Sequence, residues 1–299
     1  MRTIFTIAFL ILISSFGIKA QKPIVVVEDS LKIGNGMVPA IAVVIPEVEY
    51  EKTLKSWIKL LESVTKSKVI TENAEMTIFG AIIKDITENP LNVYSKLIDR
   101  DSALYLSAAF ELKKDQYIER ATGEAEVVRA KSVLFNFAKE RYIDLVAEEV
   151  KAEEKKLSDL EKELGSLEKD QSGMEKSIRT SNKKISTENE KLIALDGELS
   201  RISATITDQR NLLSSMEEGD LKVEKEKYIK ELESKRKKTQ KAIESSEKRI
   251  SKAEKNIDKA NRDIPRNDRD QGNYRDRVDD QEAVLQKYID KLNTIKGYR

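Results

Sequence analysis

Two long heptad seams limit what this chain can fold into. With Ile143 at position a and Val146 at d, steps of seven carry a through Val150, Leu157, Leu164, Gln171, Ile178, Ile185, Leu192, Leu199, Ile206 and Leu213. The matching d positions are Glu153, Leu160, Leu167, Met174, Ser181, Glu188, Leu195, Ile202, Gln209 and Met216. Seventeen of these 22 positions are apolar, with no stutter. Such 3-4 spacing, sustained for about ten heptads, predicts a left-handed coiled coil. The pattern stops at "EEGDLKVE" and resumes in a new phase, with a running from Ile229 to Leu292 and d from Leu232 to Ile295. Fourteen of those 20 positions are apolar.

Two seams of nearly equal length around a Gly-Asp interruption predict an antiparallel helical hairpin. Its arms span 123–216 and 225–299, and its tip spans 217–224 with Gly219 and Asp220 at the centre. Pairing then follows i + j ≈ 441, and each arm is about 110 Å long at 1.5 Å per residue. Charge agrees: residues 143–216 hold 12 basic and 16 acidic side chains, and 225–295 hold 20 and 15. A parallel homodimer jointed at Gly219 explains neither the matched lengths nor the opposite charge. Small d residues, Ser246, Ala253 and Ala260, allow close helix approach within the hairpin or between chains, so a homo-oligomer is among the expected partners.

The stretch "NRDIPRNDRDQGNYRD" (261–276) holds Pro265 and Gly272, both poor helix formers. The seam nevertheless keeps phase through Ile264, Asn267, Gln271 and Tyr274. By the pairing rule this stretch faces Gln171 and Gly173. Pro265, Gly272, Gln171 and Gly173 therefore mark a predicted hinge, with a kink near 265–273.

Residues 21–122 read as a small α+β domain. Two β-branched runs flank "GNG", where Asn35-Gly36 signals a type I′ hairpin. A helical stripe follows, through Leu54, Trp57, Ile58, Leu61 and Val64, and then four strand-like runs. The expected fold class is an antiparallel sheet with one packed helix, followed by the coiled-coil hairpin. From Glu124 a broad apolar face, including Val127, Leu134 and Phe137, is expected to pack on the sheet before narrowing to the seam.

The first 20 residues have the pattern of a signal peptide. Arg2 supplies a positive start, Ile4 to Ile13 an apolar core, and Ala20 a small residue before the expected cut. Nothing later is apolar enough to span a bilayer, so the expectation is an exported chain, periplasmic or secreted, without a membrane span after cleavage.

The chain has no Cys and no His, which removes disulfides, thiolate nucleophiles, imidazole bases and imidazole metal ligands. No cofactor or metal is expected. "DRDQG" (268–272) spaces two aspartates like a calcium loop, but Gly and the third ligand fall at the wrong positions. A formal charge of +1 gives no overall sign of nucleic-acid binding. The basic run "SKRKKTQK" (234–241) could meet anionic lipid or cell-wall polymer. The i,i+4 pairs Glu226–Lys230, Glu231–Lys235, Glu233–Lys237 and Glu244–Lys248 predict instead a solvated face.

These readings point to a non-enzymatic protein acting as spacer, scaffold or partner-binding arm, with a protein partner engaged through the coiled coil or the head. Two alternatives stand beside it. One is a holdase-like periplasmic chaperone with hairpin arms, which resembles Skp-type chaperones in architecture. The other is hydrolase activity in the head domain.

Overall fold

The computed structural model describes residues 22–72, 74–101 and 103–299; the expected signal peptide lies outside them. By contacts the chain divides into one unit of Met1–Glu154 with Ala283–Arg299 and a second of Lys155–Glu282.

In the first unit, β1 (Val25–Ile33), β2 (Gly36–Pro46), β3 (Ile70–Glu72), β4 (Glu75–Ala81), β5 (Leu91–Arg100), β6 (Ala103–Lys113) and β7 (Gln116–Tyr117) build one antiparallel sheet. The order is β1-β2-β6-β5-β4-β3, with β7 on β6. Helix α1 (Tyr50–Ser63) and the start of α2 (Glu124–Ser214) supply the helical side of the core. Alternation places Ile41, Val43 and Ile45 with Leu104, Leu106 and Phe110 on that face, against Trp57, Leu61, Leu134 and Phe137. Trp57 is fully buried, donates its indole N–H to Ser95 Oγ at 2.9 Å, and meets Phe137 edge-on at 5.0 Å. The opposite face carries the row Val25–Val44–Tyr105–Ile98 and a small cluster around Leu31, Ala40 and Ala109.

The first hairpin turn differs from expectation. Ile33 pairs with Gly36, so its central residues are Gly34 and Asn35, and only Gly34 has positive φ, at 55°. That matches type II′, which needs glycine first, rather than type I′. The two-residue strand β7 has too short a pattern to be read from sequence.

Helix α2 runs unbroken to Ser214, and α3 covers Asp220–Lys296 with Pro265 inside it. In the second unit they pack antiparallel. Every a and d position of α2 from Ile143 to Leu213 is buried or half-buried, as are Met216 just beyond it and every one on α3 from Ile229 to Ile295 except Arg236. Cross-arm ion pairs join e to e and g to g, as an antiparallel pair demands: Glu168 with Arg275, Arg210 with Glu233, and Glu198 with Lys235. The first two match the expected register to within two residues. Glu198 with Lys235 falls about one heptad short, a diagonal reach open to two long side chains.

The connection between the arms spans residues 215–219. The Gly219 carbonyl accepts from Lys222 and Val223, so Gly219 caps α3, and Asp220 provides the acidic first turn. Helix thus resumes at Asp220, earlier than the seam does, because capping needs no apolar partner.

Candidate functional site

A coiled-coil seam repeats itself every seven residues, so its polar interruptions carry most of its individuality. Two of the polar layers in the seam of the second unit hold connected networks. In the first, Gln271 donates its amide N–H to Gln171 on the other arm and to Asn267 Oδ1 at 2.7 Å. Arg275 donates to Gln271 Oε1 at 2.8 Å and reaches Glu168 at 3.5 Å. Asn267 and Gln271 are both buried. The layer is a connected ladder, with each amide held by a neighbour.

The residues predicted as a hinge divide here. Gln171 belongs to the ladder, while Gly173 and Pro265 are exposed and Gly272 half-buried. Beside the ladder, small side chains fail to fill the space between the arms. An open groove of about 780 Å³ runs past Gly173, Met174, Ala260, Asp263, Asn267 and Asp270. A second groove of about 380 Å³ continues it past Ser177, Ser181, Ala253 and Asn256. Sequence reasoning placed the polar level correctly but missed the hydrogen-bond ladder, because side-chain partners across arms depend on rotamers.

The second layer centres on Glu188, a carboxylate at a d position with 4% exposure. The g residues Lys191 and Arg249 place two cations at the same level. Glu188 accepts from Lys191 at 3.0 Å, from Arg249 at 3.3 Å and from Ser246 at 2.9 Å. The hydrogen bonds from Lys191 and Ser246 push its pKa down to about 2. An acid in the seam is therefore what lets two like charges share one level. The sequence showed Glu188 only as an exception to the apolar pattern; the signal was the pair of g cations flanking it.

A third polar group lies in the first unit, where the ends of α2 and α3 meet. Lys291, buried, contacts Glu47 at 2.8 Å and Glu149 at 3.4 Å. Burial lowers the Lys291 pKa, but the two carboxylates outweigh it and the net shift is upward. Glu47 sits at φ 62°, a left-handed conformation that L residues rarely adopt, and one of its oxygens is buried without a partner. Beside them Tyr142, Val146 and Ile295 form a small apolar cluster.

Among the described residues no three acidic, His or Cys side chains gather to hold a metal ion, and no helix is long and apolar enough to cross a membrane. The arrangement as a whole fixes register and leaves grooves and charged edges for contact.

No protein-family profile matches the chain, and no curated protein matches it. A solved structure of the Smc head domain with a coiled coil and joint, derived from Pyrococcus yayanosii, is similar at 17% identity and a TM-score of 0.32, over 75% of this chain and 53% of that one. The chain thus spans about half the length of that structure.

Proposed function

We propose that the chain is an exported, non-enzymatic coiled-coil protein whose hairpin serves as spacer and partner-binding arm. The observation that carries this reading is the continuous seam of α2, covered at every a and d position and crossed by the hydrogen-bonded layers of Gln171 and Glu188. An arm with one register has one length, which is what a spacer or scaffold requires. Its flanks offer the contacts through which helices recognise one another. Export rests on Arg2, the apolar run Ile4 to Ile13, and Ala20.

Two measurements test the reading. Residues 1–21 fused to a reporter active only outside the cytoplasm should give activity; an inactive reporter sinks export. Photo-crosslinking groups placed along exposed arm positions in cells should trap one protein at adjacent sites. Capture from head positions alone would leave the arm without its proposed role.

One observation favours a chaperone as second reading. In the hairpin unit, the exposed large apolar side chains Ile193, Leu212, Leu221, Val223 and Tyr228 all lie towards the tip. A holdase would use them on unfolded clients. Suppression of client aggregation, lost on Leu221→Ser with Val223→Ser, is the expected sign.

A further inference from the structure

The outward b, c and f positions of α3 between Lys227 and Arg262 number sixteen, all exposed. Ten are basic, three are serine and three are acidic. The f row reads Lys227, Ser234, Lys241, Lys248, Lys255, Arg262, a cation about every 10 Å along the helix with a single gap. The i,i+4 pairs expected to neutralise this stretch do not close. Glu233 instead pairs with Arg210 across the arms, and Lys235 with Glu198. Among the described residues none of the ten outward cations makes an ion pair. Of the four acids that the sequence offered as partners, Glu226 and Glu233 lie at e on the flank of the seam, while Glu231 and Glu244 stay on the outward face and close no ion pair among the described residues, which leaves that face ten cations against three acids.

We infer that this face of α3 docks on an anionic lipid bilayer surface. The inference goes beyond the spacer reading and does not depend on export. Three features select a surface. The cations are spread over the b, c and f positions of one helix, so several of them stay turned to one plane as the pair supercoils and act together. Nine of the ten are lysines, point charges suited to a diffuse anionic field, rather than the planar forks that read bases and phosphates in bidentate fashion. The sixteen positions hold no aromatic and no apolar side chain, so they offer neither a stacking platform for single-stranded nucleic acid nor an apolar face to insert. A second copy fits poorly. The acids of α2 are spread over its heptad positions and form no acidic outward face, and four of them at e, Glu154, Glu161, Glu168 and Glu175, each precede an f lysine.

That last arrangement supplies an internal control. The f row of α2, Lys155, Lys162, Lys169, Lys176 and Lys183, is equally exposed but is a single file of cations: the b and c positions from Ser158 to Thr180 add Arg179 and the acid Asp159 and are otherwise uncharged. The experiment uses the chain from Gln21 onward and co-sedimentation with vesicles of phosphatidylcholine containing about 30% phosphatidylglycerol. Binding is expected to these vesicles and not to pure phosphatidylcholine, and to vanish in about 0.5 M NaCl. Lys241→Glu with Lys248→Glu and Lys255→Glu should weaken it on the order of a hundredfold. Lys162→Glu with Lys169→Glu and Lys176→Glu, the same change in total charge, should weaken it far less. Circular dichroism checks that both triples remain helical. Equal losses from the two triples would reduce the effect to net charge and overturn the proposal. So would binding to soluble polyphosphate with none to vesicles, which would make the partner a linear polyanion.

Discussion

Trp57 and Gln271 are both buried, at 0% and 3% exposure, but they specify structure in different ways. Trp57 fills a space in a sheet-and-helix core where no neighbouring position has the same shape. Gln271 lies in a seam where each layer resembles the next, and an apolar residue there would fit equally well one heptad away. Its bond to Gln171 across the arms is available only in one register. A three-dimensional core is thus specified by shape, and a one-dimensional core by its polar exceptions.

The largest effect should come from the core that depends on shape. Trp57→Ala removes a fully buried ring and leaves Ser95 without its donor, at a cost of about 4 kcal/mol. Near-ultraviolet dichroism should lose its signal while helical signal at 222 nm largely persists. A single transition that melts both would break the distinction between the two cores.

Next in size is Lys291→Ala, expected to cost about 3 kcal/mol by denaturant unfolding because it strands Glu47 and Glu149. The pH dependence has a definite sign. The folded lysine pKa is raised, so its stabilisation is present below the ordinary lysine value of about 10.4 and is lost as pH rises through the folded value. Lys291→Met should flatten that alkaline loss. An unchanged alkaline profile would mean that Glu47 and Glu149 do not hold the charge.

Much of the seam was legible in the sequence because a and d spacing survives any choice of rotamer, and Pro265 could be kept inside a helix on phase alone. The strand runs of the head were visible by alternation, but not β7, whose pairing with β6 depends on β2 ending its own pairing at Ile41. The contacts of Glu188, Gln271 and Lys291 were hidden for one common reason. Each has a partner 58 or more residues away, chosen by side-chain reach. The charged flank of α3 was seen, but its local glutamates were assigned to local lysines. For Glu233 the cross-arm partner Arg210 was the stronger claim, and for Lys235 the cross-arm Glu198.

Replacing Pro265 by Ala addresses the weak level directly. Proline inside a helix costs about 3 kcal/mol relative to alanine. Since Pro265 is exposed, Pro265→Ala should recover about 2 kcal/mol and slow hydrogen exchange across 262–275. Glu188→Gln should do less at neutral pH, since the amide oxygen still accepts. Its effect appears in acid. A carboxylate with a depressed pKa stabilises the fold above about 4.3, its ordinary value, and that stabilisation fades as pH falls towards about 2. The variant should have a flatter acid limb; an identical limb would remove Glu188 from the acid response.

The smallest change carries the sharpest question about the seam. A Cβ built at Gly173 or Gly272 meets nothing within 4 Å, so alanine fits either place without strain. Each substitution should add about 0.5–1 kcal/mol by lowering the entropy of the unfolded chain and favouring helix. If the polar ladder and its groove act as one weak level, Gly173→Ala and Pro265→Ala should couple, with the double variant departing from additivity by more than about 0.5 kcal/mol. Hydrogen exchange at 165–176 should then slow in the Pro265→Ala variant, although that residue lies on the other arm. Strict additivity, with exchange altered only on the substituted arm, would mean two separate helix defects that happen to lie at one level.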